Sequence, residues 1–217
     1  MNEHNTQIPK HMNEIFRHLQ DDLLVLYTKL KSFKTLYCTS DENIKLLDNS
    51  AMGFFVMHGD LLRDDIMLSI CVLTDPASTR VRGKTRDNLT IEQLLSLVPE
   101  EDSSLADELR HIIDDAKSSW DAFRGHRNQR ISHSDLDTIL RKTDRLLPTI
   151  SIEHVDDALE FISAVLNAVE LYYDNDRTTY RDGIYREGNT DELIDFLKRK
   201  EDLEKYFNHK EFGDTLE

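Results

Sequence analysis

Apolar residues recur at alternating steps of three and four along four long stretches of the chain. Met12, Ile15, Leu19, Leu23, Leu26, Leu30 and Phe33 form the first series. Ile44, Leu47, Ala51 and Phe54, continuing through Leu62, Ile66, Ser69 and Leu73, form the second. Leu109, Ile112, Ala116, Trp120 and Phe123 form the third. Ile152, Val155, Leu159, Ile162, Leu166, Val169 and Tyr173 form the fourth and most regular. Each series lays one apolar stripe along one helix face, as the helices of a bundle need. The spacing predicts long helices over about 10–34, 42–74, 102–125 and 152–175.

Polar residues at the ends of these stripes agree with them. Thr39 followed by Glu42 is a capping-box pattern, Thr90 with Gln93 repeats it before a short helix at about 91–97, and Ser151 can cap the fourth long helix. "TDP" (74–76) is a stop, because proline disfavours helical geometry in the residue before it. Residues 75–90 read as a polar, basic loop. A second short helix is expected at about 135–146, bounded by Pro148. Residues 174–190 read as a loop or extended arm, and about 191–207 as an amphipathic terminal helix. The expected fold is all-α: an up-and-down antiparallel helical bundle with inserted short helices and a C-terminal arm and helix. Residues 1–176 form the bundle and 177–217 the appendage, packed either on the same bundle or on a second subunit.

Composition supports this picture. Seven glycines and four prolines in 217 residues are too few for a turn-rich all-β chain. Hydrophobic residues at 39% against 32% charged place it among globular proteins rather than disordered ones. Cys38 and Cys71 fit no metal spacing and read as buried or half-buried thiols of a reducing compartment. The run "AMGFFVM" (51–57) is too short to span a membrane, and "MNEHNTQIPK" lacks a signal-peptide pattern, so no membrane association and a cytoplasmic location are expected.

Charge then sharpens the candidates. With 27 Lys+Arg against 42 Asp+Glu the net charge is −15, which argues against a protein that coats nucleic acid non-specifically. Positive charge nevertheless gathers in two stretches: "RVRGKTR" (80–86), and 124–145, where Arg124, Arg127, Arg130, Arg141, Lys142 and Arg145 outnumber Asp135, Asp137 and Asp144. His4, His11 and His18 stand seven apart, too far for two ligands of one metal on a helix, and no metal or cofactor is expected. The acidic pair Asp64–Asp65 beside Arg63 reads as structural ion pairing rather than a magnesium site, and Trp120 and Phe123 read as core rather than a base-stacking platform.

The stretch "HRNQRISHSD" (126–135) follows the third stripe directly. On one continuous helix Arg127 and His133 would stand roughly 120° apart around the axis and about 9 Å apart along it, so their side chains would not converge. Either the helix ends near Gly125–Asn128, or copies from two subunits meet across a two-fold axis.

"RNQRISH", from Arg127 to His133, resembles the signature of the HEPN domains, the higher eukaryotes and prokaryotes nucleotide-binding superfamily. There an arginine and a polar residue are followed by a histidine, here Arg127, Asn128 and His133. "FFVMHGDLLRDDIMLSICVLTDP" (54–76) and "NLTIEQLL" (88–95) are similar to one branch, the U-type abortive-infection HEPN proteins of bacteria. The resemblance implies metal-independent RNA cleavage at a homodimer interface, in phage defence or as a toxin, with an antitoxin protein as a further partner. Arg127 would stabilise charge on the phosphate, His133 would move protons, and Asn128 would assist. Arg124, Arg130 and Arg141 are candidates for holding neighbouring phosphates. The alternative is a non-catalytic interaction or nucleotide-binding protein with the same fold.

Overall fold

The computed structural model describes residues 7–131, 149–184 and 187–213, with side chains through 129 and 206 in the first and last of these stretches. The chain is an all-α helical bundle with one two-stranded sheet. Its elements are α1 (Lys10–Tyr37), α2 (Asp41–Thr74), β1 (Ser78–Val81), β2 (Lys84–Asp87), α3 (Ile91–Ser96), α4 (Ser103–His126), α5 (Ile152–Tyr173) and α6 (Thr190–Gly213). The short helix expected at 135–146 lies outside the described residues.

Local chemistry explains the helix ends. Ser151 Oγ accepts from His154 N and the His154 ring returns the bond to Ser151 N at 3.1 Å, a reciprocal cap that starts α5 where its stripe begins. Thr90 Oγ1 accepts from Gln93 N at 3.2 Å and opens α3. The cap of α2 differs from expectation. Ser40, not Thr39, accepts from Asn43 N at 3.1 Å, while Thr39 Oγ1 turns back to the Lys34 carbonyl at the end of α1. The α2 helix is also broken at Ala51, whose extended backbone interrupts the helical run between Ser50 and Met52.

Residues 75–90, expected as a loop, contain an antiparallel hairpin. Arg82 and Gly83 both take positive φ (48° and 80°), as a two-residue hairpin turn needs, and pair Val81 with Lys84 and Ser78 with Asp87. Asn88 closes the base: its Nδ2 donates to the Pro76 carbonyl at 2.8 Å and to Thr79 Oγ1 at 2.7 Å, and its N–H to the Ala77 carbonyl at 2.8 Å.

The chain forms two compact units. The larger takes residues up to Tyr27 and Asp64–Gly183. Its core follows the stripes: Met12, Leu19 and Leu23 from α1, Ile66, Ile70 and Leu73 from α2, and most of the apolar residues of α4 and α5, which pack on each other. In α4 the buried position is Ile113 rather than Ile112. Trp120 and Phe123 are 1% and 0% exposed, so both belong to the core, each worth about 2–3 kcal/mol of burial. The first part of the arm folds back on this unit. Glu170 accepts from Thr178 N, Thr178 Oγ1 and Gln20 Nε2, and Gln20 also reaches the Tyr180 hydroxyl at 3.1 Å. Burial pushes the Tyr180 hydroxyl up to about 12, with the Glu170 charge adding to it. The smaller unit, Thr28–Arg63 with Ile184 onward, packs Leu36, Leu46, Leu47, Phe55, Ile194 and Leu197 together.

Candidate functional site

The candidate site stands where the last turn of α2 meets the last turn of α4. On α4 the buried series Ala116, Trp120, Phe123 fixes which way the helix end faces. Arg124 and Arg127, three residues apart, then fall on adjoining turns of one face. The α-helix ends at His126 and passes without a gap into a π-helical turn, Arg127–Ile131, which carries Arg127 and Asn128. Such single π turns are rare and concentrate at functional sites. On α2, Thr74 is buried and its hydroxyl donates to the Ile70 carbonyl at 2.8 Å, closing the helix so that Asp75 projects from its end.

Asp75 is what joins the two helices. Its carboxylate oxygens take Arg127 Nη1 at 2.8 and 2.6 Å, and Arg124 Nε lies 3.7 Å away. Arg124 spans the junction: Nη2 donates to the Thr74 carbonyl and Nη1 to Asp121 at 2.9 Å. Arg127 Nε donates to Asn128 Oδ1 at 3.1 Å, so Asn128 holds the guanidinium from its own turn. The Arg124, Arg127 and Asp75 side chains are 23%, 24% and 27% exposed. They are desolvated enough for charge to matter and open enough for a ligand to reach them. Beneath them lies Cys71, one turn before Asp75. Burial pushes its thiol up to about 11, against the pull of Arg127 and Arg124.

Of the residues singled out from sequence, the structure thus brings together Arg127, Asn128 and Arg124. His133 and Arg141 lie outside the described residues, as does the Arg130 side chain. Sequence reasoning misses Asp75, although "TDP" marks a helix stop. The signal that could find it is an acid placed at that stop, within the stretch similar to the abortive-infection branch, facing two arginines at helical spacing. Arg63 pairs with Asp60 at 3.0 Å, one turn back, in keeping with a structural role for that stretch. One other reading is corrected. Cys38 is exposed, because it sits in the turn after α1, whereas Cys71 is buried. Among the described residues no group of three or more His, Cys, Asp or Glu is placed to hold a metal ion, and no helix is long and apolar enough to cross a membrane.

The Arg127–Asn128 pair, in the stretch that resembles the HEPN signature, thus stands at the end of a buried helix of an all-α bundle. The family model HEPN_AbiU2, for AbiU2, matches residues 9–196, and the chain belongs to that family, as a HEPN-type abortive-infection protein. Neither the curated proteins nor the solved structures contain a match to it.

Proposed function

We propose that the protein is a metal-independent endoribonuclease that works as a homodimer in the cytoplasm, in phage defence or as a toxin, with a neutralising antitoxin protein as partner. The observation that carries this reading is the state of the Arg127 guanidinium. It is three-quarters buried, oriented by Asn128, and already holds an oxyanion, the Asp75 carboxylate. Two carboxylate oxygens on one cation mimic the two non-bridging oxygens of a phosphodiester, which would take their place.

In this mechanism the substrate's 2′-hydroxyl oxygen attacks phosphorus and the bond to the 5′ oxygen breaks. His133 takes the hydroxyl proton, and the partner's His133 protonates the leaving oxygen. A guanidinium is a fixed cation, so Arg127 holds the phosphate and offsets the negative charge that grows on it. Arg130 and Arg141 hold flanking phosphates, and Arg124 adds positive charge from the α4 side of Asp75.

The Asp75 pair also favours a second reading, in which Arg127 is a structural tie within a non-catalytic interaction or nucleotide-binding protein. RNA cleavage in the presence of a chelator separates the two. Wild type is expected to cut, and Arg127→Ala and His133→Ala to be slower by roughly 100-fold or more. Equal cleavage by all three would mean a contaminant and would remove the catalytic reading.

A further inference from the structure

We propose that the hairpin Ser78–Asp87 is a phosphate-gripping arm that holds single-stranded RNA next to Arg127; the choice of RNA rests on the function proposed above. Three observations converge on it. First, every residue of β1 and β2 is exposed, so the hairpin buries no apolar face that would explain its presence. Two strands alone are marginal in water, and this pair is closed at its base by Asn88.

Second, the hairpin concentrates charge. Arg80, Arg82, Lys84 and Arg86 stand against the single acid Asp87, in a chain whose net charge is −15. None of the four makes an ion pair among the described residues. Lys84 and Arg86 share one face of the ribbon about 6.7 Å apart, a step close to that between successive phosphates of an extended nucleic-acid strand; Arg82 extends this edge at the turn, and Arg80 stands on the opposite face. The rest of an acidic surface repels RNA, so a local cationic arm also decides where a strand lands.

Third, the arm is attached at the site. Asp75, which holds Arg127, is separated by a single residue from Ala77, whose carbonyl Asn88 takes at the hairpin base. That is at most about 7 Å of chain. Arg80 and Arg86 are the hairpin cations nearest this foot, and so the nearest along the ribbon to Asp75. The hairpin carries no aromatic side chain, so the grip reads phosphates and not bases.

The test is fluorescence anisotropy with a single-stranded RNA bearing 2′-O-methyl riboses, which lacks the nucleophile and stays intact. The variant Arg80→Gln/Arg82→Asn/Lys84→Gln/Arg86→Gln removes the charge, with asparagine chosen to tolerate the positive φ at 82. Binding is expected to weaken about tenfold or more, and the slope of log affinity against log salt to fall by about 2, near 0.7 for each phosphate that Arg82, Lys84 and Arg86 no longer neutralise. The charge-preserving variant Arg80→Lys/Arg82→Lys/Arg86→Lys should keep the slope. Single-stranded DNA of equal length should show the same hairpin-dependent slope. Unchanged binding in the glutamine variant, equal loss in the lysine variant, or no binding by wild type overturns the inference. Cleavage is read separately on unmodified RNA. Hairpin-dependent binding without cleavage leaves the arm standing and removes the nuclease, and cleavage with hairpin-independent binding does the reverse.

Discussion

Removing the Asp75 carboxylate is the most direct probe of the junction between α2 and α4. Two unit charges about 4 Å apart attract by roughly 4 kcal/mol at an effective dielectric constant near 20. Desolvation and the ordering of two side chains cancel most of that. Fully exposed pairs keep about 0.2–1 kcal/mol, whereas breaking a fully buried pair costs about 3–5 kcal/mol. Asp75 and Arg127 are 27% and 24% exposed and share two short hydrogen bonds, so a coupling of about 1–2 kcal/mol is expected. The measurement is a double-mutant cycle of Asp75→Asn and Arg127→Gln in urea. Trp120, the chain's one tryptophan, reports by fluorescence from the same unit. Strong salt should shrink the coupling, because the pair is partly solvated. A second readout tests the oxyanion argument. With the carboxylate gone, inorganic phosphate should raise the melting temperature of Asp75→Asn more than that of wild type. A coupling below about 0.5 kcal/mol, together with no added protection by phosphate, would show that Asp75 neither ties the helices nor stands where a phosphate binds.

Two further outcomes follow from burial and capping. In the native protein a thiol reagent should label Cys38 alone, with Cys71 reacting only on unfolding. The Cys71 thiol is raised from 9.0 to about 11, so below pH 9 it is protonated in both states and does not affect the balance. Between about 9 and 11 the unfolded chain loses this proton and the folded one keeps it, so stability falls by up to about tenfold in the unfolding equilibrium per pH unit. Cys71→Ala should be less stable at neutral pH yet flatter across that window, and an equal slope in both proteins would refute the assignment. Ser151→Ala removes the reciprocal cap of α5 and should cost about 1 kcal/mol in chemical denaturation, while Ser151→Asp should restore most of it.

The sequence alone determined what depends on near neighbours. The stripes placed α1, α4 and α5 within a few residues of their true ends, and Ser151 and Thr90 marked two starts, because helix periodicity and caps involve side chains three or four positions apart. The sequence also drew attention to Arg127 and Asn128, since their motif is local, spanning Arg127 to His133. Tertiary structure decided the rest. Asp75 and Arg127 are 52 residues apart, and no local rule says that the end of α2 will meet the end of α4. Phe54 is 55% exposed although it continues an apolar stripe, and its neighbour Phe55 is buried instead, because a stripe names a face but not what covers it. The hairpin was hidden because its turn puts an arginine, rather than asparagine or aspartate, at a positive φ, and because four-residue strands carry little periodicity. Local pattern fixes which segments become helices. Only packing decides which charges those helices bring together, and at this junction that pairing sets the Asp75 carboxylate on Arg127.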